Sequence, residues 1–316
     1  MTPRVTVERI EQAAGRIDPV FLHSPQFECD PLSAALGVRL VLKVETLNPI
    51  RCFKGRGADW LVAQASNGSA LVCASAGNFG QAMAYACRRR GIPLTVYAAT
   101  TANPLKVARM HDLGATVVLH GADFDAAKHE ARRAAAADDA RFVEDGLDLE
   151  TAEGAGTIGL ELARAEESLD GLLVPLGNGA LFNGVARVMK ERSPTTRLTA
   201  VQATGAPAML ESLQQHRLVQ HAAIDTIADG IGVRVPIPQA LADMQGLVDE
   251  GVLVNDETIL AAMRLIHRHA GLVVEPSGAV GVAAVLERPE DFRGRRIGTI
   301  ICGGNLTEAQ IRDWLL

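Results

Sequence analysis

The sequence predicts an α/β fold of the doubly wound kind, with mostly parallel strands and helices on both faces. Three observations carry this. Short apolar runs alternate with helix-like stretches of about ten residues or more. The runs are nearly continuous in apolar residues, as strands covered on both faces are. Several are followed at once by turns rich in Gly, Asn and Ser, at the strand ends where open α/β sheets bind ligands.

In chain order, the expected strands are Arg39–Val44, Ala70–Ala74, Leu94–Ala99, Ala115–Leu119, Gly171–Leu176, Leu198–Ala203 and Arg296–Cys302. The expected helices between them include Gly80–Arg90, Pro104–Leu113, Phe124–Ala137, Thr157–Glu167 and Glu257–Ala270. The Ala-rich run Ala131–Ala140 is good helix-forming sequence. Asp148–Gly156, polar and Gly-bearing, is expected to be a connection where the chain crosses between domains.

The composition narrows the function. With 48% hydrophobic and 22% charged residues in 316, the chain can bury a sizeable core. Aromatics at 4% and a net charge of −6 disfavour a nucleic-acid partner. No apolar run approaches the ~18 residues that span a bilayer, so no membrane partner is expected. Five scattered cysteines, with no C-x-x-C pair, fit a reducing, cytoplasmic setting better than a disulfide scaffold or zinc site.

Four loops carry unusual chemistry. In Asn48–Gly57, Lys54 opens a helix after an Asn-Pro turn. A helix N-terminus is partly positive, so a lysine there is electrostatically odd. Taken alone, Lys54 is either a solvated lysine or an imine to an aldehyde cofactor. Ser75–Gly80 is a small-residue turn between strand and helix, either a generic turn or a site for a carboxylate or phosphate. Gly177-Asn178-Gly179-Ala180-Leu181 has the same placement and lacks the G-x-x-x-x-G-K-[ST] and G-x-G-x-x-G fingerprints. It is either a tight left-handed turn or a phosphate cradle built from backbone N–H groups. Cys302-Gly303-Gly304-Asn305 follows the last strand, and its thiol either faces a ligand or is simply buried.

These loops stand in a fixed order with further motifs: N-P-x-x-x-F-K-x-R-G-A at 48–58, S-A-G-N at 75–78, N-P-L-K-V-A-R-M at 103–110, E-P-S-G-A at 275–279 and C-G-G-N at 302–305. The ordered set resembles the pyridoxal-phosphate enzymes of fold type II. Within them it is similar to the threonine/serine dehydratase (ammonia-lyase) family, which includes serine racemase, with a phenylserine dehydratase-like member among the readings. The resemblance runs from about Ile17 to Leu306. It implies two open parallel-sheet α/β domains with pyridoxal 5'-phosphate between them. The smaller domain is expected at 51–144, and the larger at 1–50 with 145–316.

The same resemblance implies roles. Lys54 carries the cofactor as an imine and serves as acid and base at the substrate's Cα. Phe53 packs beside the ring, and Asn78 binds its hydroxyl. Ser75, Ala76, Gly77 and Asn78 bind the substrate carboxylate. Gly177, Asn178, Gly179, Ala180 and Leu181 cradle the phosphate, and Cys302 faces the pyridine nitrogen. Glu275 lies near the ring behind these contacts. A thiol is only a weak donor, so the pyridine nitrogen is expected to stay largely unprotonated, which favours elimination. The implied reaction is dehydration and deamination of a β-hydroxy-α-amino acid to a 2-oxo acid and ammonia. A racemase, a β-replacement enzyme and a binding protein of low activity are the alternatives.

Several positions depart from that family. Ala76 stands where serine racemase has a second catalytic serine, so racemisation is expected to be poor. Asn178 interrupts a run of glycines; it is expected to tolerate a left-handed backbone, with an amide able to donate to phosphate. Val201–Ala208 holds no carboxylate, so no divalent metal is expected there. Arg51 is expected near the site, either orienting an acidic substrate or solvated. Phe79 is expected to make the pocket apolar and suited to a bulkier substituent. The partner is a small amino acid, and the chain is a monomer or homodimer.

Overall fold

The structure is a computed structural model that describes residues 3–65 and 69–316. Its strands are β1 Gln26–Glu28, β2 Arg39–Val44, β3 Leu71–Ala74, β4 Leu94–Ala98, β5 Thr116–Leu119, β6 Arg141–Val143, β7 Gly171–Pro175, β8 Arg197–Ala203, β9 Glu250–Val254 and β10 Arg296–Ile301. They form two sheets, a six-stranded one in the order β1-β2-β10-β7-β8-β9 and a four-stranded one in the order β5-β4-β3-β6. All pairings are parallel except β1 with β2. Among the described residues, no helix is long and apolar enough to cross a membrane.

All seven expected strands are present within a residue or so of their expected ends. β7 is buried along its whole length and β10 along all but its first residue, as a parallel strand covered on both faces must be. The three unexpected strands sit at sheet edges. β1 and β6 have only three residues each, too few for a period to show.

The expected connection at Asp148–Gly156 is instead helical. The helix runs Leu149–Leu162, with Asp148 as its N-cap, so it overlaps the expected Thr157–Glu167 helix only at 157–162, starting eight residues earlier and ending five earlier. Its glycines serve packing rather than flexibility. A Cβ at Gly154 would lie 2.5 Å from Gly57 Cα in the Lys54–Gln64 helix. A Cβ at Gly184, in the Ala180–Arg192 helix, would fall onto the carbonyl oxygen of Ala152. Three helices thus meet backbone to backbone. Gly184→Ala gains up to ~1 kcal/mol of helix propensity but forces these backbones apart at a cost of ~1–3 kcal/mol. Net destabilisation in urea unfolding is the expected result.

A buried ionic cluster fastens the Lys54–Gln64 helix to the larger sheet. Arg56 is fully buried. Its guanidinium donates in a fork to Glu45 at 2.8 Å on both arms, and to Glu161 at 2.6 and 3.0 Å. Thr157 Oγ1 and Ser24 Oγ accept further bonds at 2.9 and 3.1 Å. Lys43, on β2, reaches Glu161 at 2.5 Å. Burial works to raise the Glu161 carboxyl, but Arg56 and Lys43 overcome it and hold the group down at about 2.

Candidate active site

A cleft of about 720 Å³ lies between the two sheets and is lined by the ends of β3, β6, β7 and β10. That volume suits a cofactor together with a small substrate. Its position follows from topology, since loops at the carboxyl ends of parallel strands converge.

Lys54 enters the cleft at the first residue of its helix. Two contacts hold the preceding segment against the end of β10: Cys52 bridges to Gly303, and Phe53 N donates to Cys302 O at 3.0 Å. Cys52 Sγ accepts from Lys54 N at 3.2 Å. The Lys54 ammonium lies 4.7 Å from the centre of the Phe53 ring and 2.5 Å from Asp145 Oδ2. A cation at a helix N-terminus is thus offset by an acid from another strand end.

The Ser75–Asn78 turn follows β3 and opens the Asn78–Arg90 helix. Ser75 Oγ accepts from Gly77 N at 3.2 Å and Gly80 N at 2.9 Å, which fixes the turn. The N–H groups of Ala76, Asn78 and Phe79 have no acceptor among the described residues. Across the cleft, Gly177–Leu181 follows β7, and Gly179 takes the left-handed conformation at φ 102°. The N–H groups of Gly177, Asn178, Gly179 and Leu181 likewise have no acceptor among the described residues. Open N–H groups at a helix N-terminus form an anion site. Asn178 does not take the left-handed backbone expected of it; Gly179 does. One hydrogen of the Asn178 side-chain amide goes to Asp145 O at 2.8 Å, which leaves the other open among the described residues.

Cys302 is buried at the cleft wall. Burial, then the Glu275 carboxylate, pushes its thiol well above the ordinary range, so it stays neutral. Glu275 anchors its neighbours: Oε1 accepts from Asn78 Nδ2 at 2.7 Å and Oε2 from Asn305 N at 3.2 Å. Asn305 Nδ2 in turn donates to Asn78 Oδ1 at 2.9 Å. Burial, reinforced by the Asp229 carboxylate, raises Glu275 from 4.5 to about 7. A raised acid contributes stability that is complete below its unfolded value and lost as pH rises through its folded one. Glu275→Gln removes that loss. Relative to wild type, the variant is expected to gain on the order of 3 kcal/mol between about pH 4.5 and 8, read by urea unfolding across the range. A difference that stays constant with pH would contradict this.

Every expected site residue from Phe53 to Cys302 borders this cleft or supports a turn that does. Phe79 lines it, as expected. Arg51 does not: it is exposed beyond the lining, with φ 52°. Of its two expected readings, the exposure favours the solvated one over the substrate-orienting one. Asp145 and Lys106 were not anticipated. Asp145 lies two residues past the end of β6, whose three residues gave no strand signal. Lys106 pairs with Asp229 at 2.6 Å, and Arg234 pairs with Asp125. Both ion pairs join a helix of the 104–137 stretch to the 229–234 segment.

Comparison with known proteins supplies the family. A sequence model of the family described as "Pyridoxal-phosphate dependent enzyme" matches residues 17–303. The L-threonine ammonia-lyase of Thermotoga maritima is 35% identical over 305 residues, covering 96% of this chain and 76% of that protein. That of Geobacter sulfurreducens is 36% identical over 289 residues, covering 90% and 70%. Among solved structures, maize serine racemase superposes with a TM-score of 0.92 at 27% identity, covering 98% of this chain and 96% of that one. The processed threonine deaminase isoform 2 of Solanum lycopersicum gives 0.89 at 29% identity, covering 98% and 89%. With Lys54 and two turns of open N–H groups bordering one cleft, and family sequence over most of its length, the chain belongs to the pyridoxal-phosphate dependent enzymes, with their fold type II architecture.

Proposed function

We propose that this enzyme is an ammonia-lyase that dehydrates and deaminates a β-hydroxy-α-amino acid to a 2-oxo acid and ammonia. The observation that carries the reading is the convergence of Lys54, the Ser75–Asn78 turn and the Gly177–Leu181 turn on one cleft. The relatives named L-threonine ammonia-lyase support it.

The residues present fit pyridoxal phosphate. The open N–H groups of Gly177, Asn178, Gly179 and Leu181 suit its phosphate. The buried Ser277 Oγ, on the cleft lining and without a partner among the described residues, marks a polar position left for the cofactor. When bound, the cofactor withdraws electrons from Cα and so acidifies its hydrogen. Lys54 binds it covalently and then moves the Cα proton. Asn78, held by Glu275 and Asn305, is fixed to meet the ring hydroxyl. Ser75, Ala76, Gly77 and Asn78 orient the substrate carboxylate through open N–H groups and the Ser75 hydroxyl. The neutral Cys302 thiol offers the ring nitrogen only a weak donor. In this reading 51–144 is the smaller lobe, and 1–50 with 145–316 the larger. The setting is cytoplasmic.

Phe79, Phe124 and Ile224 are among the residues lining the cleft, which supports a substrate with a bulky β-substituent, such as 3-phenylserine, alongside L-threonine and L-serine. The likeness to serine racemase keeps racemisation as a second reading. Ala76 disfavours it, because no hydroxyl stands there to serve the opposite face. Ammonia release from L-serine, L-threonine, 3-hydroxyaspartate and 3-phenylserine, with chiral analysis of the remaining amino acid, tests both. Release from none of the four would overturn the lyase assignment.

A further inference from the structure

A β-hydroxyl leaves as water only after gaining a proton, and no motif in the sequence supplies the donor. We infer that Asp145 is this acid, an assignment that rests on the ammonia-lyase reading above. Its two carboxylate oxygens have different surroundings. Oδ2 is 2.5 Å from Lys54 Nζ. Oδ1 is buried and has no hydrogen-bond partner among the described residues. Asp145 lines the same cleft as Lys54 and the Ser75–Asn78 turn. A buried carboxylate oxygen left unpaired is costly, and a substrate group with a proton to give or take relieves it.

The position is also rigid. Asn178 Nδ2 donates to Asp145 O at 2.8 Å, tying it to the Gly177–Gly179 turn. Gly146 N donates to Thr151 Oγ1 at 3.1 Å, and Glu144 N to Asp148 Oδ2 at 2.6 Å. The residues on either side are therefore anchored to the Leu149–Leu162 helix and its cap.

The protons balance within the Lys54–Asp145 pair. The substrate arrives as an ammonium and must lose one proton before its nitrogen is nucleophilic. The Asp145 carboxylate takes it: an N–H bond breaks and an O–H bond forms. Lys54, as the free amine, then takes the Cα proton. The electron pair left at Cα becomes the Cα–Cβ π bond while the Cβ–O bond breaks. Asp145 gives its proton to the departing oxygen, which leaves as water. The lysine ends as an ammonium and Asp145 as a carboxylate, the same pair the structure contains.

The test compares leaving groups on the holoenzyme. Chloride departs from β-chloro-L-alanine without a proton, whereas the hydroxyl needs one. Asp145→Asn is expected to slow ammonia release from the preferred hydroxy amino acid by about 10²-fold or more, mainly in kcat. Release from β-chloro-L-alanine, which still needs its ammonium proton removed but no proton on the leaving group, should fall at least about tenfold less. Asp145→Glu, which keeps a carboxyl, should recover part of the lost rate. Two readouts are independent of turnover. Pyridoxal phosphate titrated into the cofactor-free Asp145→Asn protein should bind with near wild-type affinity by absorbance. In that cofactor-free protein Lys54 should also label several-fold faster with an amine reagent, because its ion-pair partner is gone. Equal losses on both substrates would reduce Asp145 to a positioning residue and overturn the inference; so would no loss on either, or unchanged labelling. Wild-type protein inert toward every hydroxy amino acid would instead sink the functional reading itself.

Discussion

Lys54→Ala protein is expected to stay colourless when mixed with pyridoxal phosphate, and its ammonia release should fall by more than about 10³-fold. Two functions vanish together, the covalent attachment of the cofactor and the base at Cα. The geometry makes the loss specific. Lys54 is the cation at the start of its helix that meets Asp145 and stacks against Phe53, and no neighbouring lysine takes its place on that turn. The substitution leaves the Asp145 carboxylate without its cation, so a stability cost of ~1–3 kcal/mol is expected as well. Unfolding in urea separates that cost from the chemistry. A folded variant that still turns yellow and releases ammonia would overturn the role of Lys54.

The second large effect is on stability. Arg56→Leu is expected to destabilise the fold by ~3–5 kcal/mol, because it strands the Glu45 and Glu161 carboxylates in the core. Both carboxylates are at least nine-tenths buried, so water cannot screen them. The effect carries a pH signature. Glu161 is held at about 2 in the folded protein, against an ordinary 4.5. An acid lowered on folding contributes stability that is present above its unfolded value and lost as pH falls through its folded one. Arg56→Leu forfeits most of that contribution. Its deficit relative to wild type should be largest near neutrality and should shrink as pH falls from about 4.5 towards 2. Urea midpoints across that range measure it, and a deficit independent of pH would contradict the ionic account. Because Arg56 sits two residues after Lys54 on the same helix, a milder Arg56→Lys change is expected to weaken the fork and loosen the lysine's placement.

Legibility in the sequence followed the strength of the local signal. β2, β7 and β10 were legible because burial on both faces leaves unbroken apolar runs. The turns at Ser75–Asn78 and Gly177–Leu181 were each open to a plain turn when read alone, and only their order along the chain with the other motifs favoured the anion-site reading. The first part of the Leu149–Leu162 helix was missed because Gly154 and Gly156 imitate a loop. Their reason for being there is the backbone of Gly57 and Gly184, which local sequence does not reveal. Asp145 was missed because a three-residue edge strand has no readable period.

The order of the residues along the chain was enough to set the alternation of strands and helices, the lysine at a helix start and the turns able to hold anions. These depend on neighbours a few positions apart, whose torsional and hydrogen-bonding preferences act locally. Which groups face one another was decided only when the chain closed on itself. Lys54 meets Asp145, Asn78 meets Glu275 and Asn305, and Arg56 meets Glu45 and Glu161 across separate elements. Electrostatic attraction and desolvation act through space, and they depend on distances that no stretch of sequence carries.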